Sequence, residues 1–520
     1  MTKPICLVTP PSMFLLDERV FMSLGVLRVA ASLEQASIPV EMLDLSGIEN
    51  YEQAVTDHVL TSHAEVYGLT ATSPQLPSAM RVCRAIRKAN PAARVILGGP
   101  HVTLVNAARR LEEKAGRKGR ALRAFDQLCA AFDVLVSGDG ETAVFLAIQP
   151  DSPKLIDGDD PKTDLFLNSA QLSMLPLPSR HLVDVDSYRY TIDGVRALSL
   201  ICQLGCPFGC RFCGGRAAPS LRRVRLRSAD SVVNEIAHLH TVYGVNGFML
   251  YDDELNVNPG MVELMRAIAG KADEFGVEFK LRGFIKAELF TDEQAEAMHQ
   301  AGFRWILTGF ESGSPRILKN INKRATIDDN TRCIEIARRH GLKVKALMSI
   351  GHPGESAETI EQTHEWLARM QVDDFDVTVL AVYPGSPYYD EATAHPERPG
   401  IWVYSVNGDS LYSYDVDYTT VADYYKGDPG SGYISYVYTD YLSTEEIVRL
   451  RDYVEADVRR RLAIPFNQSA PSLRYEHSMG QSGILPANIL RTSDLVGRTA
   501  PVRASADPNG LHNIRLTASA

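Results

Sequence analysis

The sequence predicts an α/β protein with two parallel sheets, a doubly wound Rossmann-like sheet followed by a partial barrel. Three observations carry this prediction. Short apolar runs alternate with helical patterns in residues 1–150, the alternation returns after residue 196, and a glycine-bearing cysteine loop stands near the start of the second block. Such alternation is typical of parallel sheets covered by helices. Because 520 residues are too many for one ordinary core, we expect two or three domains.

Composition and charge narrow the class of protein. A hydrophobic content of 45% and a charged content of 23% are typical of globular proteins. The net charge of −10 offers no general footprint for nucleic acid. No apolar run reaches the roughly 18 residues that span a bilayer, and the first strand begins at once, without a secretory leader. We therefore expect a cytoplasmic protein that binds neither nucleic acid nor membrane.

The first block, residues 1–150, predicts five strands with helices between them. The strands are predicted at 5–8, 40–44, 66–70, 94–97 and 134–136. Small residues, glycine or proline follow four of these strands, among them Thr9, Ser73, Gly98, Gly99 and Gly138. The carboxyl ends of parallel strands meet at one edge of the sheet, where ligands bind. Plain turn chemistry would select the same residues, so this pattern alone indicates only a cofactor-binding type of domain.

The second block, residues 196–400, predicts six strand–helix repeats. The strands are predicted at 197–201, 247–251, 278–282, 305–310, 343–350 and 376–382. Six repeats suit a partial (β/α)6 barrel, in which chemistry collects at the carboxyl ends of the strands. Residues 151–195 are predicted to be a linker because they are rich in Asp, Pro, Lys and Ser.

Two small regions follow the barrel. Residues 401–465 form a tyrosine-rich region that ends in a closing helix. Tyrosines so concentrated suit either a binding surface or aromatic packing against the barrel mouth. Residues 466–520 lack sustained periodicity and are predicted to be a flexible tail.

The cysteine loop has the spacing C-x3-C-x2-C at Cys206, Cys210 and Cys213. Three thiolates so close together can bind one iron–sulfur cluster, and three ligands leave one iron of a four-iron cluster open. A zinc site with Cys202 as fourth ligand is the alternative, as are incidental buried thiols. The remaining cysteines lie in apolar surroundings and are predicted core residues: Cys6, Cys83, Cys129 and Cys333.

This spacing, with Phe212 just before the last cysteine, resembles the signature of the radical S-adenosylmethionine (SAM) superfamily. The resemblance implies that the three cysteines bind a 4Fe–4S cluster, that its open iron chelates SAM, and that Phe212 lies against the adenine. It also implies SAM contacts at the strand ends of the barrel: Asp252, Asp253 and Glu254 at the amino group, Arg282 at the carboxylate, Glu311 and Ser312 at the ribose or methionine end, and Ser349 and Gly351 beside the adenine. Helix capping by the acidic segment and a solvated strand end at Arg282 are the structural alternatives.

The first block is similar to the cobalamin-binding domain that precedes the radical domain in one branch of that superfamily. The similarity rests on Pro10-Pro11, Leu24–Leu27, Asp44, Gly98–His101 and Gly138–Glu141, in this order. It implies cobalamin contacts at Thr9, Ser73, Gly98, Gly99, His101, Gly138, Gly140 and Glu141. The D-x-H-x-x-G motif is absent, so we expect no histidine ligand to cobalt. Loss of the cofactor is the alternative.

Together these resemblances imply a cobalamin-dependent radical SAM enzyme. The preferred interpretation is a C-methyltransferase that acts on an unactivated carbon of a small metabolite, through a 5′-deoxyadenosyl radical and methylcobalamin. Its implied partners are a small-molecule substrate and an external electron donor of the flavodoxin or ferredoxin type. The rival hypotheses are ring rearrangement, cyclisation or thiolation, and a cobalamin-binding sensory protein with a vestigial cluster site.

Overall fold

The computed structural model describes residues 3–15, 18–427 and 432–465. The predicted flexible tail, 466–520, lies outside these residues. The first sheet consists of β1 (Ile5–Thr9), β2 (Val40–Asp44), β3 (Val66–Thr70), β4 (Arg94–Gly98), β5 (Val134–Gly138) and β6 (Leu155–Gly158). All six are parallel, in the order β2-β1-β3-β4-β5-β6. The helices of this region are α1 (Leu24–Gln35), α2 (Tyr51–Thr61), α3 (Leu76–Ala89), α4 (Pro100–Lys114), α5 (Arg120–Ala131), α6 (Gly140–Ala147) and α7 (Ser169–Met174).

Helices cover both faces of this sheet, which confirms the predicted doubly wound architecture. Leu7 of β1 packs with α1 and α6, whereas its neighbour Val8 packs with α2, α3 and α4 on the other face. Strand β6 differs from the prediction, because it lies inside the predicted linker of residues 151–195. Its four residues stand among Asp and Pro, which hides the strand in the sequence, but they pair in parallel with β5.

The second sheet confirms the partial barrel. Its strands are β7 (Thr191–Ile192), β8 (Val195–Leu200), β11 (Gly247–Leu250), β12 (Lys280–Phe284), β13 (Phe303–Glu311), β14 (Lys343–Ile350) and β15 (Asp374–Val379), and the short pair β9 (Gln203–Leu204) and β10 (Arg225–Leu226) flanks the cysteine loop. The order is β15-β14-β13-β12-β11-β8-β7. Six of these strands are parallel, and the added β7 pairs antiparallel with β8 at the edge.

Helices follow the strands of this sheet. They are α8 (Pro219–Arg222), α9 (Ala229–Tyr243), α10 (Met261–Phe275), α11 (Asp292–Gln300), α12 (Pro315–Asn320), α13 (Ile327–Arg339) and α14 (Ala357–Met370). The sequence sets their ends locally. The Ser228 hydroxyl accepts the Ser231 N–H at the start of α9, and Gly244 ends that helix at φ +65°. A hydroxyl cap and a left-handed glycine are the usual signals for these positions.

The connector between the two sheets fastens them to each other. The Tyr188 hydroxyl donates a 2.7 Å hydrogen bond to Asp44, at the carboxyl end of β2. Arg180 forms a buried ion pair with Glu235 of α9 at 2.7 Å. Further along, Asp139 of the first region and Arg225 of the second form another buried ion pair. These contacts fix the spacing between the carboxyl ends of the two sheets.

The tyrosine-rich region forms a small antiparallel sheet. Its elements are α15 (Pro387–Asp390), β16 (Thr393–Ala394), β17 (Ile401–Val406), β18 (Asp409–Tyr414), β19 (Val437–Thr439) and the closing helix α16 (Thr444–Leu462). Most of its tyrosines serve packing: Tyr418 and Tyr424 are buried against the core of the first region, and Tyr412 stacks on Tyr438 at 4.7 Å. Within residues 3–15, 18–427 and 432–465, every helix is too short or too polar to cross a bilayer.

Candidate active site between the two sheets

The first position of the cysteine loop requires glycine. Gly205 has φ +89°, and a Cβ there would lie 2.1 Å from the carbonyl oxygen of Arg223. The loop is then anchored by the Cys206 N–H, which donates to Leu221 at 3.1 Å. A glycine at this position therefore brings the first cysteine close to the α8 segment.

The three loop cysteines fit a cluster better than a single zinc ion. All three are free thiols; Cys210 is buried, and Cys206 and Cys213 are half-buried. Tetrahedral zinc holds its sulfurs about 3.8 Å apart, given Zn–S bonds of about 2.3 Å. Among the described residues, this triad is not one of the groups of three whose ligand atoms all lie within 4.8 Å of one another. A four-iron cluster spaces its ligands more widely, because each sulfur binds a different iron.

Burial keeps the thiols of Cys206 and Cys213 protonated in the absence of metal. It raises the pKa of Cys213 to about 12 and also raises the pKa of Cys206. Binding of iron must therefore displace protons from the loop. Cys202, outside the spacing, is buried with Leu200 and Leu250 in the core. The sequence predicts a strand residue here, but Cys202 lies in the bend between β8, which ends at Leu200, and β9, which begins at Gln203.

The acidic segment after β11 holds the loop backbone, a task that the sequence did not indicate. One carboxylate oxygen of Asp252 accepts the N–H groups of Cys202 at 2.7 Å and Gln203 at 2.9 Å. Asp253 accepts the Gly205 N–H at 3.0 Å. Asp252 is buried, and burial raises its pKa to about 7. The carboxylates of Asp252 and Asp253 therefore accept hydrogen bonds from the loop backbone.

Glu254 is the carboxylate of this segment that remains for a ligand. The structure assigns no hydrogen bond to its half-buried side chain, while burial raises its pKa to about 7 against the opposing charges of Lys323 and Lys286. A carboxylate with so little neutralisation suits a cationic ligand group. The predicted contact with the SAM amino group therefore stays a prediction, and Glu254 is its preferred residue.

A buried polar network lies at the ends of β13 and β14. Glu311 pairs with Lys323 at 3.0 Å and accepts the Ser349 hydroxyl at 2.7 Å, and Ser349 lies 2.8 Å from His352 Nε2. Burial alone would raise the pKa of Glu311, but the Lys323 ammonium outweighs it and the pKa is lowered. Burial lowers the pKa of His352 to about 4, so its ring is neutral at pH 7. Phe212 of the cysteine loop lies 5.4 Å from this ring.

This network unites the predicted residues Phe212, Glu311 and Ser349 beside the loop. Glu311 has φ +68°, in the left-handed region that costs a non-glycine residue free energy. Such strain at a strand end is typical of functional sites. Lys323 was missed by the sequence analysis, since a lysine after a helix carries no signal of burial.

Three other predicted SAM residues lie apart from the network. The Ser312 hydroxyl accepts the Ser314 N–H in the turn before α12 and contacts Thr363 of α14. Gly351 faces β19, because a Cβ there would lie 3.1 Å from Val437. Arg282 lies in the middle of β12, over the Trp305 ring inside the barrel. Their predicted contacts with SAM stay predictions that this geometry does not favour.

Seven of the eight predicted cobalamin residues line one of two cavities beside the first sheet. A cavity of about 290 Å³ lies between one face of the sheet and helices α1 and α6. Five predicted residues line it: Gly98, Gly99, Gly138, Gly140 and Glu141. Thr9 and Ser73 line a second cavity of about 660 Å³ between the sheets. His101 lines neither, because its buried ring contacts Ser73 at 2.9 Å, and burial lowers its pKa to about 3.

The donor set of these cavities fits the expected cofactor. Their linings contain no histidine, in agreement with the missing motif. The segment Ser220–Arg225 of the second region closes the smaller cavity, where the Ser220 hydroxyl also binds Asp159. Glycines along the sheet edge let a bulky ligand approach the backbone closely. The absence of a histidine ligand to cobalt stays a prediction.

The larger cavity joins the two halves of the chain. One wall comes from the first sheet, with Thr9 and Thr70 at its strand ends. The opposite wall includes Gly214, next to Cys213, and Tyr251, next to the acidic segment. Tyr425 of the tyrosine-rich region completes this wall. A ligand on the first sheet and a ligand on the cysteine loop therefore face the same space.

Gly98 gives a selective test of the cobalamin assignment. Its φ is not in the left-handed region, and a Cβ there would make only ordinary contacts, at 3.7 Å or more. Gly98→Leu is therefore expected to fold, while its side chain fills the cavity and weakens cobalamin binding about tenfold or more. Spectroscopic titration of cobalamin measures the loss, with iron content as the readout that stays unchanged. Gly98→Ala is the matched control, and full binding by Gly98→Leu would place the cofactor elsewhere.

Gly138 is unsuitable for that test, although the sequence predicts both glycines as cobalamin contacts. It has φ +79°, and a Cβ would lie 2.3 Å from the backbone of β6 and Asp159. Any side chain at this position would displace the edge strand.

Comparisons with known proteins agree with this geometry. Residues 18–128 match the B12 binding domain family, and residues 200–367 match the radical SAM superfamily. An uncharacterized methyltransferase of Pyrococcus horikoshii is 27% identical over 347 residues, 64% of this chain and 70% of that one. An anaerobic magnesium-protoporphyrin IX monomethyl ester cyclase of Rubrivivax gelatinosus is 23% identical over 355 residues, 65% of this chain and 60% of that one.

The fold also matches a solved structure. The radical SAM methyltransferase TsrM from Kitasatospora setae, solved with cobalamin and a [4Fe-4S] cluster, superimposes with a TM-score of 0.60 at 17% identity over 89% of each chain. Residues 18–128 are therefore a B12-binding domain and residues 200–367 a radical SAM domain, and the chain is a radical SAM enzyme whose cofactors are a 4Fe–4S cluster, SAM and cobalamin.

Proposed function

We propose that this enzyme is a C-methyltransferase that acts on an unactivated carbon of a small molecule. The observation that carries the proposal is the single cavity of about 660 Å³ bounded by the strand ends of both sheets. A radical formed at the cysteine loop and a methyl donor on the first sheet would reach one substrate from its two sides. Holding the reactants in one shared cavity would bring the radical to the substrate carbon before it meets solvent.

The residues of the chain divide the work of binding and orientation. The cluster supplies the electron that cleaves SAM, and cobalamin supplies the methyl group. Asp252 and Asp253 hold the loop that carries the predicted cluster ligands. We propose Glu254 as the partner of the SAM ammonium. Lys323 and Ser349 fix the carboxylate of Glu311 from two sides. Five aromatic residues line the cavity: Phe14, Phe21, Tyr251, Tyr383 and Tyr425.

Two observations bear on the alternatives. The Pyrococcus relative is named a methyltransferase, which supports methyl transfer, but the Rubrivivax relative is named a cyclase, so ring formation is the second candidate. Against a sensory protein with a vestigial cluster stands the complete cysteine loop with its acidic support. We propose a flavodoxin or ferredoxin as electron donor, because the cluster needs one electron in each cycle.

The fate of the SAM methyl group tests the proposal. The cluster-loaded enzyme is incubated without oxygen with cobalamin, a reductant and SAM carrying a deuterated methyl group, and products are followed by mass spectrometry. We expect S-adenosylhomocysteine together with label in the corrin fraction, followed by label in a substrate when candidate metabolites are added. Formation of 5′-deoxyadenosine with all label kept on SAM and methionine would instead favour cyclisation or rearrangement. Protein without iron and sulfide after anaerobic purification would favour the sensory alternative.

A further inference from the structure

A second group of metal-binding side chains lies at the opposite edge of the first sheet. Cys6, Glu41 and Tyr67 are direct neighbours on three adjacent strands, each the second residue of its strand. Helix α2 lies over them and contributes His58. These positions are near the amino ends of the strands, and Cys6 packs on the face of the sheet that α2 and α3 cover. The smaller cavity lies on the opposite face, under α1 and α6. The group is therefore separate from the reaction site.

The side chains of Cys6, Glu41 and His58 converge on one point. His58 Nε2 lies 3.3 Å from Cys6 Sγ and 3.1 Å from Glu41 Oε2, and all three ligand atoms lie within 4.8 Å of one another. Around tetrahedral zinc, with its usual bond lengths, a sulfur and a nitrogen lie about 3.5 Å apart and a nitrogen and an oxygen about 3.3 Å apart. The observed separations are close to these values.

Ordinary hydrogen bonding explains this arrangement poorly. An imidazole nitrogen has either one proton or one lone pair in the ring plane, so it serves one partner well. Here the same nitrogen has a sulfur on one side and a carboxylate on the other, as neighbours around a shared cation would be. Cys6 and His58 are buried, while Glu41 is partly exposed, which gives an ion an entry path and a place for water.

We propose that Cys6, His58 and Glu41 bind a zinc ion, with water as the fourth ligand. Thiolate, imidazole and carboxylate together are a donor set that suits zinc. The ion would connect β1, β2 and α2, and so stabilise the first domain on the side away from cobalamin. The Ser62 hydroxyl, which donates to Glu41 at 2.6 Å, would hold that carboxylate in place. The Cys6 thiol, which the sequence predicts to be an inert core residue, would be a metal ligand.

Binding would also change the protonation of Cys6. Burial, reinforced by the charge of Glu41, raises the pKa of this thiol far above its usual value. A zinc ion must displace that proton to form the thiolate. Zinc uptake is therefore expected to release a proton and to weaken as the pH falls.

The test measures zinc and iron separately in the full chain. Cells are grown with added zinc, the cluster-loaded protein is purified without chelators, and both metals are quantified by plasma mass spectrometry. We expect about one zinc per chain in the wild type. In Cys6→Ala and His58→Gln, the zinc content should fall at least tenfold. Cys83→Ala is the matched control, because this buried thiol lies in the same domain, hydrogen-bonds the Ala131 carbonyl and is not part of the proposed site. A variant without the three loop cysteines should lose its iron and keep its zinc.

A second measurement needs no variant. The wild-type chain is stripped with a chelator and titrated with Co²⁺, which should produce the sulfur-to-cobalt absorption of a thiolate ligand and raise the melting temperature. Wild-type protein with less than about 0.1 zinc per chain and no such absorption would overturn the proposal and leave a hydrogen-bonded group. The proposal would also be overturned if the zinc were lost in the variant without the loop cysteines but kept in Cys6→Ala.

Discussion

Replacing any one of Cys206, Cys210 or Cys213 by alanine is expected to abolish formation of 5′-deoxyadenosine. Three thiolates bind three irons of a four-iron cluster and leave the fourth open. A site with two thiolates leaves two irons open, so it loses the cluster or holds it without a single defined open iron. We expect iron below about a tenth of the wild-type content and activity reduced at least a hundredfold, about 2.7 kcal/mol in the activation free energy. Iron and sulfide assays, with chromatography of the nucleoside product, measure both effects.

Cys202→Ala is the matched control for this prediction. Its thiol is buried in the barrel core and outside the loop spacing, so its loss should cost about 1 kcal/mol of stability and leave the cluster in place. The cavities and the Asp252 contacts to the loop backbone should also persist, because they use the main chain of Cys202 and not its sulfur. If Cys202→Ala loses iron as completely as the other three variants, the site has four thiolate ligands and the three-cysteine assignment is wrong.

The sheets could be predicted from the sequence because their strands are apolar and regularly spaced. All six parallel barrel strands and five strands of the first sheet follow from this pattern. Strands β6 and β7 escaped it, since four and two residues carry too little periodicity to distinguish them from a linker. Their pairing depends on neighbours that are already in place. The tyrosine-rich region resisted prediction for a related reason, because composition does not indicate which tyrosines face a core.

The candidate site was predictable to the extent that its chemistry is local in the sequence. The cysteine spacing is contiguous, and the glycine turns mark strand ends. The roles of Asp252 and Lys323 depend on contacts between residues 50 and 12 positions apart, with Cys202 and Glu311 respectively. The same is true of Cys6, whose contact with His58 spans 52 positions. Such partners are selected by the fold, so residue type alone could not reveal them.

We expect the acidic segment to divide loop support from SAM binding, and two variants should show the two functions independently. In Asp252→Ala, two buried N–H groups lose their acceptor, at a cost of about 1–3 kcal/mol each. We expect a melting temperature lower by several degrees and reduced cluster loading, since the loop starts at these amides. Asp252→Asn keeps an oxygen in the same place and should retain most of the stability, which makes it the conservative control.

Glu254→Gln should have the opposite profile. Its side chain has no hydrogen bond in the structure that the change would break, so the melting temperature and iron content should match the wild type. Loss of a charge-assisted contact to the SAM ammonium should weaken SAM binding by about 1.5–3 kcal/mol, roughly ten- to a hundredfold. The measurement is SAM affinity of cluster-loaded protein by calorimetry, beside melting curves. Should Asp252→Asn weaken SAM binding while Glu254→Gln leaves it unchanged, the ammonium lies at Asp252, and the division of labour within this segment is the reverse of the one inferred here.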